Sequence, residues 1–144
     1  MRVVPLRLSP GDDLRQALES WMALQPEQAG CVISAVGSLS QAQLRFAAAD
    51  DVSRIRADLE ILSLAGTLSP DGVHLHITVA DGTGRVIGGH LGRGSLVHTT
   101  AELVVGLLPG WQFSRELDPA TGYPELQISA SDHERGKEAG TPPG

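Results

Sequence analysis

The amino-acid sequence predicts an α+β domain in which strands outnumber helices, and three observations predict it. Residues His74 to Ala80 alternate polar and apolar side chains, the period-two pattern of a strand with one face in a core. Arg85 to Leu91 supplies a partner segment across Gly82-Thr83-Gly84, so the two pair as an antiparallel hairpin. A single stripe of helical period follows Ser9, and the remaining apolar runs are strand-sized. A chain of 144 residues, 41% of them apolar, is long enough to build one domain around its own core.

Met1 to Leu8 alternates well enough for an opening strand. Ser9-Pro10-Gly11-Asp12 then reads as a helix start, with Ser9 as N-cap and Pro10 in the first helical position. The helix is expected to run to about Gln25, burying Leu14, Ala17, Leu18, Trp21 and Leu24 along one stripe. Ala29 to Val36 and Gln41 to Ala48 are expected to be two strands joined at Gly37-Ser38-Leu39-Ser40, and Asp50 to Arg56 a connecting loop. Leu59 to Thr67 is the next strand; Glu60 within it either faces solvent or is paired, and pairing is the expectation. After the hairpin, Ser95 to Leu108 forms a long, largely apolar strand interrupted by Glu102. Gln112 to Leu117 and Tyr123 to Ser129 close the domain, 1–129, and the polar, Gly- and Pro-rich segment 130–144 is expected to be a disordered tail.

Chemistry shows mainly in the hairpin. Gly84 can take the left-handed position that closes a three-residue loop. With Asp81 facing Arg85, the register sets Thr78 against Gly88 and His76 opposite His90, with Leu75 across from Leu91 and Val79 set against Gly89. His74, His76 and His90 then share the polar face. Same-face neighbours on a strand lie about 7 Å apart and opposed residues about 5 Å apart, distances that converging imidazoles can span to one ion. Three neutral imidazoles with one open position suit a divalent metal; zinc is the first expectation, although nickel, copper and iron(II) also accept imidazole. The alternative is an exposed polar face or a hydrogen-bonded network, and a one-residue slip in register would disperse the three rings. Gly88, Gly89, Gly92 and Gly94 either leave room for a ligand or permit tight strand packing. Glu102 is the candidate acid/base or orienting carboxylate, with an arginine partner as the commoner role for such a group. His98 and Trp21 are expected to be structural, and Cys31, the single cysteine, a buried inert thiol.

Charge bears on partners. Eleven basic residues stand against seventeen acidic ones, a net charge of −6, and Lys137 is the sole lysine. Nucleic-acid-binding domains usually present a basic face, whereas these arginines are scattered along the chain. No apolar run is long enough to span a membrane, and the start of the chain has no signal-peptide core, so a cytoplasmic location is the expectation.

Several segments together resemble the PPC (plants and prokaryotes conserved) domain family: Val36-Gly37-Ser38-Leu39 with Leu44-Arg45, Leu59-Glu60-Ile61-Leu62-Ser63-Leu64 with Gly66-Thr67, then HLHITVAD, GRVIGGHLGRG and Thr100-Ala101-Glu102-Leu103. They occur in order from Met1 to about Ser129. The resemblance implies a mostly antiparallel, sandwich-like sheet with a flanking helix, assembled as a homotrimer. It also implies a DNA-associated or protein-binding module, since stand-alone prokaryotic members carry a DNA-binding label inherited from the family. In the plant branch an AT-hook precedes the domain and contacts AT-rich DNA; Gly92-Arg93-Gly94 lacks the second arginine and the proline of such a hook. Where plant members have Gly-Arg-Phe-Glu-Ile-Leu, this chain has Ala57-Asp58-Leu59-Glu60-Ile61-Leu62. A trimer would carry 3 × −6 = −18, which opposes direct contact with phosphate. Three readings follow: a DNA-associated or protein-binding trimer, a metal-dependent enzyme using His74, His76 and His90, and a metal-free structural trimer.

Overall fold

Burial alternates along the hairpin strand as its sequence requires. Val73, Leu75, Ile77 and Val79 are buried while His74 and His76 are exposed. The computed structural model of the chain describes residues 1–131. In it eight strands and one helix follow in the order β1 (Arg2–Leu8), α1 (Leu14–Ala23), β2 (Gly30–Arg45), β3 (Val52–Ser69), β4 (Gly72–Ala80), β5 (Val86–Leu91), β6 (Leu96–Leu107), β7 (Trp111–Leu117) and β8 (Pro124–Ala130). Six strands form one antiparallel sheet in the order β1-β6-β2-β3-β4-β5, and β7 and β8 pair as a separate hairpin. The mostly antiparallel sheet with one short flanking helix is therefore as expected.

The sheet has an unusual closure. β2 pairs with β3 along one edge, while its other edge is shared by β6 and, at its end, by β5 through Leu44 opposite Leu91 and Arg45 opposite His90. β2, β3, β4 and β5 thus form a closed circuit, and β5 is held on both sides. Its inner surface is the core: Leu39, Ala42, Leu44, Leu68, Leu75, Val79 and Leu91 are all fully buried. Each such leucine contributes about 1.5–3 kcal/mol by leaving water.

Several boundaries differ from expectation for tertiary reasons. The helix is capped by Asp13, not Ser9: its carboxylate accepts from the Gln16 amide at 3.0 Å and from the Gly94 amide at 2.7 Å. Residues ahead of it are tied to the start of β6, with Gly11 donating to the Val97 carbonyl, Val97 to that of Asp12 and Leu14 to that of Ser95. Those bonds hold Pro10 and Gly11 out of the helix. At the other end the helix stops at Ala23, so Leu24 is 83% exposed and Met22 completes the buried stripe with Leu14 and Leu18. Trp21 packs partly buried against the core.

Gly37 to Ser40 is not a turn. β2 runs through it as one strand with irregular register near Leu39, and Gly37 is needed because a Cβ there would lie 2.1 Å from the Thr100 carbonyl. The expected loop at Asp50 to Arg56 instead starts β3, where Val52 to Arg56 pair with Gln41 to Arg45. Glu60 faces solvent rather than a partner, and Cys31 is half-buried. Ala130 belongs to β8, opposite Trp111, and Ser131 donates to the Gly110 carbonyl. The remainder of the expected tail, from residue 132, lies outside the described residues.

Candidate metal centre and arginine cleft

The loop Gly82-Thr83-Gly84 fixes the register from which the site is built. Gly84 adopts φ 81, its amide donates to the Asp81 carbonyl at 3.0 Å, and the Asp81 amide donates to the Arg85 carbonyl at 2.9 Å. The Asp81 carboxylate also accepts from the Thr83 hydroxyl and from the amides of Thr83 and Arg85, and these hydrogen bonds to its charged form, that of the hydroxyl foremost, hold its pKa below the ordinary range. His76 consequently stands opposite His90, and Thr78 opposite Gly88, as the register predicts. Val79 faces Ile87 rather than Gly89, because Gly89 pairs with Ile77. Gly88 and Gly89 serve tight packing: a Cβ would come within 2.8 Å of the Ile77 carbonyl and 2.9 Å of the Arg45 carbonyl.

Three imidazoles meet on the outer face. The ring centroids are 4.9 Å apart for His74 and His76, 5.3 Å for His74 and His90, and 5.9 Å for His76 and His90. One nitrogen from each lies within 4.8 Å of the others, and the Nε2 atoms of His74 and His76 are 3.2 Å apart. Ligand nitrogens at about 2.0–2.1 Å on a tetrahedral ion stand about 3.3 Å from one another. The His74–His76 pair is already at that spacing, and a His90 nitrogen lies within 4.8 Å of both.

The surroundings keep two rings uncharged. Burial, then the neighbouring Arg15 and Arg45, lowers the His90 pKa from 6.5 to about 4. Burial, followed by His76 and Arg115, lowers that of His74. Both therefore offer lone pairs at neutral pH. Arg15 reaches from α1 to fix this corner, donating to the carbonyls of Leu91 at 2.7 Å and Val73 at 3.0 Å while paired with Glu19 at 2.8 Å. Its guanidinium also stands 3.3 Å from His90 Nε2. Because arginine only donates, Nε2 accepts in this arrangement and the proton sits on Nδ1. That Nδ1 atom is buried without a hydrogen-bond partner. Three imidazoles with nitrogens this close could hold a cation; ligation through His90 Nε2 would replace the Arg15 contact, and ligation through the unpartnered Nδ1 would require its proton to move.

Beside the rings opens a cleft of about 740 Å³ whose lining includes Arg15, Arg45, His74, His90, Arg115 and Tyr123, and a smaller one of about 370 Å³ lies on the Arg93 side of His90. Glu102 is exposed on β6, in register with Arg7 and Val36, and lines neither cleft. The structure thus brings His74, His76 and His90 together and leaves Glu102 apart. His98 is exposed, 3.9 Å from Asp58. The three arginines were not legible as site residues, since each comes from a different element and none sits in a motif.

A family model described as the Plants and Prokaryotes Conserved (PCC) domain matches residues 1–109. The bifunctional protein GlmU of Synechococcus sp. strain JA-2-3B'a(2-13) is 56% identical over 128 residues, covering 89% of this chain and 20% of that protein. The chain thus spans about a fifth of the length of that curated relative. Among solved structures, a hypothetical protein from Salmonella cholerae-suis is 38% identical with a TM-score of 0.86, over 90% of this chain and 94% of that one. A metal-containing protein from Archaeoglobus fulgidus is 26% identical with a TM-score of 0.72, over 88% and 94%. A protein from Bacteroides thetaiotaomicron, named provisionally for DNA binding, is 24% identical with a TM-score of 0.77, over 87% and 91%, a likeness that shows the fold alone.

Proposed function

This chain belongs to the Plants and Prokaryotes Conserved domain family, abbreviated PCC or PPC, and within it we propose a metal-binding domain in which His74, His76 and His90 hold one divalent cation. The observation that carries this reading is the convergence of one nitrogen from each ring within 4.8 Å on a register fixed by the Asp81–Arg85 loop. Support comes from the neutral state of His74 and His90 and from the Archaeoglobus relative described as metal-containing. Zinc fits the donor set best, as an all-imidazole site with an open position. A cation held so would supply Lewis-acid polarisation of a bound oxygen group; the chain's own residues favour the neutral forms of His74 and His90, and Arg15 orients His90. The test is elemental analysis of tag-free protein and of its His76→Ala variant after incubation with zinc. Near-stoichiometric metal lost in the variant supports the site, and equal metal in both refutes it.

Self-association, as the family resemblance implies, is supported by a separate surface. Met1, Val3, Ile33 and Val36 remain exposed on β1, β2 and the residue before β1, and the Met1 and Ile33 side chains meet over Gly106. A patch of this kind on a charged domain favours burial against a second copy. We take the homotrimer as that assembly; light scattering should give three times the monomer mass, and Ile33→Glu should lower it. DNA contact has weaker footing, because the chain carries −6.

A further inference from the structure

Positive charge gathers in the cleft beside the imidazoles. Arg15, Arg45 and Arg115 line it against Asp71 and Glu125, a local excess of positive charge in a chain of net −6. Their commitments differ. Arg15 is occupied by Glu19 and by the carbonyls of Leu91 and Val73. Arg45, opposite His90 in the sheet and half-buried, has no side-chain hydrogen bond and no carboxylate within 4.0 Å among the described residues. Arg115 uses one nitrogen on Thr67 Oγ1 at 3.0 Å, and its guanidinium likewise has no carboxylate partner there.

The two acids of the cleft are turned to other work: Asp71 accepts from the Arg115 backbone amide and Glu125 from the Thr121 hydroxyl. A half-buried guanidinium without a counter-ion is costly, and an anion with two or three oxygens offsets that cost through short charge-assisted bonds. The wall also includes Pro124 and Tyr123, which supply apolar and aromatic surface. Ala48 at its rim is held at φ 57, the one non-glycine residue with positive φ among those described, a strain of the sort found where a backbone is shaped around a ligand. A volume of about 740 Å³ matches a small organic molecule and exceeds what inorganic phosphate needs.

We propose that this cleft binds a small organic oxyanion, a carboxylate or phosphate ester, whose charged head is recognised by Arg45 and Arg115 beside the three imidazoles and whose apolar body lies against Pro124 and Tyr123. The proposal builds on the metal reading by naming the class of molecule brought to the open position.

The experiment is isothermal titration of full-length protein, with and without zinc, using phenyl phosphate, phenylacetate and the neutral benzyl alcohol as probes. At least one anion should bind with a dissociation constant in the millimolar range or tighter, with benzyl alcohol silent. Arg45→Gln and Arg115→Gln should each weaken that binding about tenfold, whereas zinc stoichiometry should not fall, because each variant removes a positive charge from beside the imidazoles. Preference for phenyl phosphate or phenylacetate tells which oxyanion the arginines favour. The proposal is overturned if neither anion binds, if benzyl alcohol binds equally, or if both arginine variants bind as wild type does. Zinc uptake without anion binding defeats this proposal alone, and arginine-dependent anion binding without zinc uptake defeats only the metal reading.

Discussion

Lowering the pH should destabilise the metal-free protein through His90, and the size of the effect follows from where that ring sits. Its pKa falls from 6.5 to about 4 on folding, because the ring is buried and faces Arg15 and Arg45. At pH 7 neither state holds the proton, so the group contributes its full share of stability. Below 6.5 the unfolded chain takes up the proton while the folded one resists it, and stability drops until about pH 4, where both are protonated. At 1.36 kcal/mol per pH unit the span corresponds to about 3.4 kcal/mol. The ring is only partly enclosed, so solvent screening reduces this to about 1.5 kcal/mol. Urea denaturation of chelator-treated wild type and His90→Gln, followed by circular dichroism from pH 7.5 to 4, isolates the term, because His74 and the carboxylates are common to both. The wild-type midpoint should fall relative to the variant by roughly 1 M urea over that range. Parallel curves, or a wild type that gains relative stability in acid, would refute the reasoning.

Other consequences are simpler to measure. Gly66→Ala puts a Cβ 1.9 Å from the His74 carbonyl, backbone against backbone, and should cost about 3 kcal/mol or more by thermal unfolding together with zinc uptake. Asp13→Ala removes the acceptor for the Gln16 and Gly94 amides and should lower stability by about 1–2 kcal/mol while leaving zinc stoichiometry intact. A gel shift at low salt should show no retardation of duplex DNA, as expected for a chain of net −6; a salt-sensitive shift would reveal a basic surface assembled between copies.

The parts of the fold visible in the sequence were those set by local rules. Alternation from His74 to Ala80 and the Gly84 loop settle the hairpin, and with it the approach of His76 to His90. Local rules failed where distant backbone intervened. Ser9 and Pro10 carry a good helix start, but bonds to Ser95 and Val97 shift the cap to Asp13. Gly37 looks like a turn, yet its missing Cβ serves the approach of β6 at Thr100. The polar stretch after Asp50 is strand because the end of β2 needs a partner. Arg45 reaches the site through pairing of β2 with β5, and nothing near it in the chain announces that.

The β7–β8 hairpin has a wider consequence. Its ladder is internal, from Trp111 opposite Ala130 to Leu117 opposite Pro124, and it meets the rest of the chain through a few points: Phe113 on the Gln28 carbonyl, and Arg115 on Thr67 and Asp71. The histidine-bearing strands belong to the main sheet, within residues 1–109 matched by the family model, whereas Arg115, Tyr123 and Glu125 stand on or beside a hairpin that closes on itself. Two parts of one cleft therefore rest on separate ladders. A hairpin whose backbone bonds are satisfied within itself can be lengthened, recharged or exchanged without disturbing a single rung of the main sheet. A change of charge at Arg115 or of length at the turn before Tyr123 should therefore remodel the outer wall of the cleft while the pairing of His76 with His90 holds.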